Sequence, residues 1–262
     1  MISLERRDGR PLRIGHRGAA ALAPENTIAS FRAAVAAGVD LVELDVLRLH
    51  DGELVVAHSN DLREISHGAT RGNVGDRSLA ELRELCPELA TLDEALGFFV
   101  VEAPETGVHV DLKSARAVEA VTSALRGFGL LERAFVSSFH ARALRRLRVL
   151  EPRLRTGISF PRDRLGISRR QRLEPAIRGG LRAQRTVGPA LARVLLARSR
   201  ATALALHHAL VSPAVVRRAH ARAVPVVAWT VDTREELVRL DEAGVDAIVT
   251  NDPSIFVSTL MP

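Results

Sequence analysis

Residues 39–58 of the chain read VDLVELDVLRLHDGELVVAH. The first part of this stretch, 39–46, is an apolar, valine- and leucine-rich run that predicts a buried β-strand. The Asp51-Gly52 pair that follows is a frequent turn sequence in tight hairpins. The segment 53–58 is therefore predicted to run back along the first strand as a short second strand.

Similar apolar runs alternate with alanine- and leucine-rich helical stretches along the whole chain. This alternation is typical of βα units that build a parallel sheet. Eight principal strands are predicted, at 12–16, 39–46, 108–113, 134–139, 155–160, 202–207, 225–231 and 246–251. Helices are predicted between them, at 27–37, 78–85, 92–99, 115–128, 141–150, 213–223 and 233–243.

The chain length agrees with this pattern. The 262 residues are close to the length of about 250 that is typical of a (β/α)8 barrel. We therefore predict an α/β fold, a (β/α)8 TIM barrel with a small hairpin insertion after strand 2. Because no linker or internal repeat is visible, residues 1–262 are interpreted as a single domain, with an arginine-rich helical insertion at about 161–200.

The positive charge of the chain is concentrated around that insertion. The formal net charge is +6, yet residues 141–200 contain seventeen arginines against Glu151, Asp163 and Glu174. A solvated basic face is the first interpretation of this segment. Leu191, Val194 and Leu195 would share one helical face, so a weak contact with an anionic membrane surface is the second interpretation. No aromatic residue occurs at 161–228, so base stacking is unsupported and no nucleic-acid partner is expected.

The sequence predicts a cytoplasmic protein. Residues 1–13 are charged and lack the apolar centre of a signal peptide. No stretch approaches the roughly 20 apolar residues that a membrane-spanning helix needs. The single cysteine, Cys86, excludes an internal disulfide bond.

Chemically useful side chains stand where the predicted strands end, which is where TIM barrels carry their active sites. Two histidines can share acid and base catalysis, and oxygen-only carboxylate ligands suit one Ca²⁺ or Mg²⁺ ion. An arginine and the only lysine of the chain can neutralise a phosphate. The candidates are His16 and His58 for catalysis, Glu43, Asp45 and Asp111 for the metal, and Arg17, Lys113, Trp229 and His207 for the substrate.

Eight short strings resemble the glycerophosphodiester phosphodiesterase family. They are IGHRG at 14–18, APENT at 23–27, VELD at 42–45, DGELVVAH at 51–58, VDLK at 110–113, VSSF at 136–139, AWTV at 228–231 and GVDAIVT at 244–250. The resemblance implies a TIM barrel and a metal-dependent enzyme of lipid and glycerol metabolism. Such an enzyme splits glycerophosphodiesters into glycerol 3-phosphate and an alcohol.

The same resemblance assigns roles to individual residues. His16 and His58 match the catalytic pair, Glu43 and Asp45 match two metal ligands, and Arg17 and Lys113 match phosphate-contacting positions. Asp111 stands where the family commonly has a glutamate ligand. Ser59 and Asn251 stand where aspartate is usual.

Several alternatives stay open from the sequence. Asp111 before Leu112 and Lys113 is similar to sphingomyelinase D enzymes, which favours a lysophospholipid phosphodiesterase that releases a cyclic phosphate. A non-catalytic membrane or nucleic-acid adaptor acting through 141–200 is the third hypothesis. The sequence decides neither which histidine is the acid nor whether water or a substrate hydroxyl attacks. Glu25 and Asn26 are interpreted as helix-start residues, and the histidines at 50, 67, 109, 140, 208 and 220 as surface or structural.

Overall fold

A closed barrel of eight parallel strands forms the centre of the molecule. The computed structural model describes residues 2–66, 68–161 and 188–257. Strand β1 pairs with both β2 and β9, and the remaining neighbours follow around the ring, which closes the barrel. The strands are β1 (Leu12–Gly15), β2 (Leu41–Arg48), β3 (Leu54–Val56), β4 (Gly107–Leu112), β5 (Ala134–Ser138), β6 (Arg155–Phe160), β7 (Ala203–His207), β8 (Val226–Trp229) and β9 (Ala247–Thr250). The predicted TIM barrel is confirmed.

Strand β3 is the one member outside the ring. It pairs antiparallel with the end of β2, with Val46 opposite Val56 and Arg48 opposite Leu54. Gly52, in the turn between them, has a φ of +101°, a conformation that favours glycine. The small hairpin insertion after strand 2 is thus confirmed, and β3 is shorter than the predicted 53–58.

Helices surround the barrel in the order that the sequence predicts. They are α1 (Ile28–Ala36), α2 (Leu62–Ile65), α3 (Leu79–Leu85), α4 (Leu92–Val101), α5 (Val118–Gly127), α6 (Ala141–Leu150), α7 (Gly188–Ser199), α8 (Pro213–His220), α9 (Arg234–Glu242) and α10 (Ser254–Val257). The predicted helix at 115–128 begins as a separate 3₁₀ turn, Ala115–Ala117, because Ser114 caps that turn. The short helices α2 and α10 lie where the sequence predicts no helix.

Helix α1 shows how the sequence sets an element boundary. The sequence offers Asn26 or Thr27 as the cap of this helix, and in the structure the Thr27 hydroxyl accepts from the Ser30 amide and so caps the first turn. Gly38 follows the last turn with a φ of +75°. Both ends of α1 therefore follow from local side-chain chemistry.

The half of the barrel interior that lies toward the amino ends of the strands, called the lower half, is apolar. Side chains from alternate strand positions fill it, and Leu4 of the amino-terminal segment packs against them. Phe135 occupies so much of the centre that a β-carbon on Gly157 would lie 2.5 Å from its ring. The interior residues are Leu4, Leu12, Ile14, Leu41, Phe135, Ala203, Ala205, Val227, Ala247 and Val249.

The arginine-rich insertion is described only in part. Residues 162–187, which make up most of it, lie outside the described residues, while α7 belongs to its end. Leu195 packs against the core and Val194 is 49% exposed, so the predicted apolar face is divided between core and surface. In the described ranges, none of the helices is long and apolar enough to cross a membrane.

Candidate active site

A cavity of about 120 Å³ opens at the carboxyl ends of the barrel strands. Most of the predicted site residues line it, although they come from five different segments of the chain. They are His16, Arg17, Glu43, Asp45, His58, Asp111, Lys113 and Trp229. The structure therefore brings together side chains that lie more than 200 positions apart in the sequence.

Three buried carboxylates form the floor of this cavity. Glu43 and Asp45 occupy alternate positions of β2, so both point into the barrel, and Asp111 of β4 lies beside Asp45 in register. One oxygen of each carboxylate lies within 4.8 Å of an oxygen of the other two. Burial, and then the neighbouring charge of Asp45, raise the pKa of Glu43 well above its ordinary value.

Two cationic side chains offset this negative charge. The Lys113 Nζ lies 2.6 Å from Asp45 Oδ1 and 2.5 Å from Asp111 Oδ2. The Arg17 Nε lies 3.3 Å from Asp45 Oδ2. Although burial acts to raise it, the pKa of Asp45 is lowered because Lys113 and Arg17 stabilise its charged form. The pKa of Lys113 is raised in turn by Asp111 and Asp45, against the effect of burial.

The loop after β1 holds two of the carboxylates with neutral donors. The Arg17 amide donates to Glu43 Oε2 at 2.8 Å. The Asn26 Nδ2 donates to Asp45 Oδ2 at 2.9 Å, and the Asp45 amide donates back to Asn26 Oδ1 at 3.2 Å. Arg17 and Asn26 both have positive φ, 50° and 59°, so this loop is held in an unusual conformation.

Glu25 and Asn26 therefore do more than begin a helix. The Arg17 guanidinium donates to both oxygens of Glu25 at 2.8 and 2.7 Å, which fixes its direction at the edge of the cavity. The interpretation of these two residues as helix-start residues missed their contacts with the site. The contact of Asn26 with Asp45 joins this loop to β2, so the local sequence offered no indication of it.

His16 is buried and held in one orientation. Its Nδ1 lies 2.6 Å from Asn251 Oδ1, while the Asn251 Nδ2 donates to Asp232 Oδ2 at 2.7 Å. Because Asn251 presents its oxygen, His16 carries its proton on Nδ1 and leaves Nε2 as a lone pair. Burial and the Arg17 charge lower the pKa of His16 to about 4, so its ring is neutral at pH 7.

His58 stands at the more open side of the cavity. It follows β3, and its side chain is 33% exposed. The His58 Nδ1 lies 3.1 Å from Glu64 Oε2. With Nδ1 engaged by that carboxylate, Nε2 is the atom of His58 available for proton transfer.

Trp229 and its neighbours form an aromatic wall. Phe139 meets the Trp229 ring edge-on with ring centroids 5.9 Å apart, and Phe139 also lines the cavity. His207 is not among the lining residues. Its ring packs against that of Trp229, with ring centroids 5.3 Å apart, and its Nδ1 accepts from the Ala209 amide. The predicted contact of His207 with substrate stays a prediction that its position does not support.

Two polar residues that line the cavity next to the carboxylates were not predicted from the sequence. His109 of β4 and Ser137 of β5 are buried and line the cavity beside Asp111. The sequence interpretation placed His109 among the structural histidines. The available indication was its place in β4, two residues before Asp111, since alternate residues of a strand share one face.

The donor set fits a divalent cation. All three carboxylates are buried, they supply oxygen only, and Lys113 and Arg17 balance their charge incompletely. The raised pKa of Glu43 points the same way, since a cation beside it would favour the charged carboxylate. Elsewhere in the described ranges, no three histidine, cysteine, aspartate or glutamate side chains approach each other this closely.

Comparison with known proteins places these observations in a family. Residues 16–255 match the model of the glycerophosphoryl diester phosphodiesterase family. A glycerophosphodiester phosphodiesterase of Caldanaerobacter subterraneus is 27% identical over 259 residues, which cover 94% of this chain and 96% of the relative.

Solved structures have the same fold. The crystal structure of a Silicibacter pomeroyi protein described as a glycerophosphoryl diester phosphodiesterase aligns with a TM-score of 0.78 at 24% identity over 98% of this chain and 95% of that one. An Oleispira antarctica phosphodiesterase in complex with the product sn-glycerol-3-phosphate aligns with a TM-score of 0.74 at 23% identity, over 96% and 97%.

Proposed function

The chain belongs to the glycerophosphoryl diester phosphodiesterase family, and we propose that it hydrolyses glycerophosphodiesters to glycerol 3-phosphate and an alcohol by metal-dependent catalysis with two histidines. The observation that carries the proposal is the cluster of Glu43, Asp45 and Asp111, whose ligand atoms lie within 4.8 Å of one another in a cavity that both histidines line. The product complex of the Oleispira relative supports glycerol 3-phosphate as the product.

Glu43, Asp45 and Asp111 would hold one Ca²⁺ or Mg²⁺ ion. A set of carboxylate oxygens without sulfur or nitrogen ligands is the chemistry that these hard cations prefer. Such an ion, when bound, supplies Lewis-acid polarisation of a phosphoryl oxygen. Arg17 and Lys113 lie beside the same carboxylates and would bind the other phosphoryl oxygens, where they offset charge that develops in the transition state.

His16 acts as the general base in this proposal. Its ring is neutral at pH 7 because burial holds its pKa at about 4, and the proton on Nδ1 is engaged by Asn251. The lone pair on Nε2 therefore takes the proton from the attacking water as the water oxygen bonds to phosphorus. A bound cation would lower the pKa of His16 further and so preserves this role.

His58 acts as the general acid. In this role the His58 ring starts with a proton on each nitrogen, the one on Nδ1 directed at Glu64. As the bond between phosphorus and the alcohol oxygen breaks, the Nε2 proton passes to the leaving alkoxide and leaves a neutral ring. Glu64 orients the ring through Nδ1. Because His58 is the more exposed of the two histidines, the alcohol leaves toward the open side of the cavity. Trp229 would contact the organic group of the substrate from one side of the cavity.

A lysophospholipid phosphodiesterase is the second candidate. The observation that favours it is Asp111 followed by Leu112 and Lys113, which is similar to sphingomyelinase D enzymes. In that reaction a hydroxyl of the substrate, rather than water, gives its proton to His16, and a cyclic phosphate is released. Among the residues that the structure describes, no specific observation favours the adaptor hypothesis, whereas the predicted catalytic and ligand side chains all line one cavity.

Phosphorus NMR tests these candidates in one experiment. The purified protein is incubated with glycerophosphocholine or lysophosphatidylcholine in the presence of Ca²⁺ or Mg²⁺, with a chelator and the variant His16→Ala as controls. Glycerol 3-phosphate that forms only with metal and His16 supports the first candidate. A cyclic phosphate from the lysolipid favours the second, and the absence of turnover with both overturns the proposed activity on these substrates.

A further inference from the structure

A chain of hydrogen bonds leads from one proposed metal ligand into the barrel interior. The Ser137 hydroxyl donates to Asp111 Oδ1 at 2.6 Å. On its other side, Ser137 Oγ lies 2.9 Å from His109 Nε2. Asp111, Ser137 and His109 are 6%, 2% and 4% exposed, so solvent does not replace these partners.

The direction of the chain follows from the inventory of protons. An ionised carboxylate can only accept hydrogen bonds, so the Ser137 hydroxyl donates its single proton to Asp111. Ser137 must therefore accept from His109, which fixes the histidine tautomer with its proton on Nε2. The His109 Nδ1 is then a lone pair, and it is a buried atom without a hydrogen-bond partner.

The His109 ring is also fixed by packing. Its centroid lies 4.5 Å from that of Phe135, which belongs to the apolar filling of the barrel. Phe135 has room there only because residue 157 is glycine. The rigid lower half of the barrel thus fixes the ring, and the ring fixes the orientation of the Ser137 hydroxyl.

Each carboxylate of the cluster has a neutral donor of this kind. The Arg17 backbone amide donates to Glu43, and the Asn26 side-chain amide donates to Asp45. The Ser137 hydroxyl donates to Asp111. Two of these donors carry hydrogens in fixed positions. The Ser137 hydroxyl can rotate, so its direction depends on a further residue.

We propose that His109 and Ser137 are positioning residues for Asp111, which together fix the direction of its Oδ1 and so set the affinity of the site for a divalent cation. The inference rests on the proposed cation site and on the hydrogen-bond geometry. Partners of metal ligands in other proteins raise metal affinity about 10- to 100-fold. An effect of that size is expected here.

Calorimetric titration with Ca²⁺ or Mg²⁺ alone tests the inference on the full-length protein. The variants are Ser137→Ala, His109→Asn, His109→Gln and the double variant Ser137→Ala with His109→Asn. The glutamine Nε2 can replace the ring Nε2 as donor to Ser137, whereas the asparagine amide is too short to reach it. Ser159→Ala is the matched control, because Ser159 is also a buried serine that lines the cavity.

We expect Ser137→Ala and His109→Asn to weaken cation binding by about 10- to 100-fold. His109→Gln and Ser159→Ala should stay close to the unchanged protein, and the double variant should bind no more weakly than Ser137→Ala alone. Unchanged affinity in His109→Asn, equal losses in the asparagine and glutamine variants, or additive losses in the double variant would overturn the inference. Thermal unfolding identifies any variant that fails to fold.

A second readout needs neither metal nor activity. Long-range ¹H–¹⁵N NMR of the histidine rings, with His109 assigned by its absence from His109→Asn, should show the proton on Nε2 at pH 7. A proton on Nδ1 would overturn the inference. If the unchanged, folded protein binds neither cation, both the proposed cation site and this inference are wrong. If it binds a cation but the His109 variants do not differ as expected, only this inference is wrong and the proposed function stands.

Discussion

The two ends of the barrel interior are built from the same strands and have opposite chemistry. In β2, Leu41 points into the lower half. Glu43 and Asp45 point into the upper half, which is the cavity at the carboxyl ends of the strands. In β5, Phe135 fills the lower half and Ser137 reaches the cavity. A step of two residues, about 7 Å along a strand, separates close apolar packing from a cluster of like charges.

This contrast separates stability from function within one core. The lower half buries apolar surface, which stabilises the fold. The upper half buries three carboxylates whose mutual repulsion is only partly offset by Lys113 and Arg17. Substitutions at the upper end should therefore reduce catalysis with little loss of stability, and substitutions at the lower end should do the reverse.

The largest effect is expected at the upper end, for His16→Ala. Loss of a general base lowers kcat by about 10²- to 10⁴-fold, while the melting temperature should change little. Steady-state kinetics and thermal unfolding measure the two quantities, with exposed His50→Ala as the control. Retention of most of the kcat would show that His16 is not the base.

At the lower end, Leu12→Ala should reverse this pattern. Deleting a fully buried leucine side chain costs about 2–5 kcal/mol of the free energy of unfolding. The kcat of the folded fraction should remain near that of the unchanged protein, because Leu12 lies in the apolar cluster below the cavity. Urea unfolding and kinetics at 25 °C provide the check, with Val149→Ala, at a site 69% exposed, as the control. If the kcat of the folded fraction falls together with the free energy of unfolding, the two ends of the barrel interior are coupled.

Glu43→Gln tests the cost of the buried charges directly. Cation affinity should fall by at least about 100-fold, beyond the range for residues that only orient a ligand. Since the pKa of Glu43 is raised in the folded state, the contribution of this group to the stability of the metal-free protein is fully present below its ordinary pKa and is lost as pH rises through the raised value. The glutamine variant should lack that loss.

Unfolding measured against pH in the presence of a chelator, and calorimetry with Ca²⁺ or Mg²⁺, test both parts of the Glu43 prediction. Exposed Glu53→Gln is the matched control, because Glu53 lies in the hairpin away from the cluster. If the variant is less stable than the unchanged protein at neutral pH, the carboxylate of Glu43 contributes to the fold rather than straining it.

The smallest effect is expected for Asn251→Asp. The variant replaces the amide that joins His16 to Asp232 by a second carboxylate, so it adds negative charge beside the His16 ring. The pKa of His16 should rise from about 4 by on the order of one unit. Because a base must be unprotonated, the acidic limb of the profile of kcat/KM against pH should move to higher pH. A shift of the basic limb instead would assign His16 as the acid.

Much of the fold could be predicted from the sequence. The apolar strand runs and the turn at Asp51-Gly52 are local features that the structure confirms. The start of α1 is also local, and of the two predicted caps, Asn26 and Thr27, the structure has Thr27. Most strand ends lie within two residues of their predicted positions, since each ends where the apolar run ends. The predicted ligands Glu43 and Asp45 followed from strand alternation, which directs both to one face.

The connections of the upper end could not be predicted in this way. Asn26 contacts Asp45, and His109 reaches Asp111 through Ser137, only because neighbouring strands and loops meet at the barrel mouth. Side-chain hydrogen bonds between distant residues leave no periodic trace in a sequence. His207 depends on tertiary packing in the same way, because its strand-end position predicted a cavity residue and its ring packs against that of Trp229.

The sequence alone therefore determined the barrel, its hairpin and the types of side chain at the strand ends, because periodicity and turn chemistry act over a few residues. Tertiary structure decided which oxygen, nitrogen and hydroxyl atoms meet, which tautomer each buried histidine adopts and how burial shifts the pKa values of Glu43 and His16. Those properties depend on distances of a few ångströms between residues far apart in the chain, and only closure of the barrel sets them.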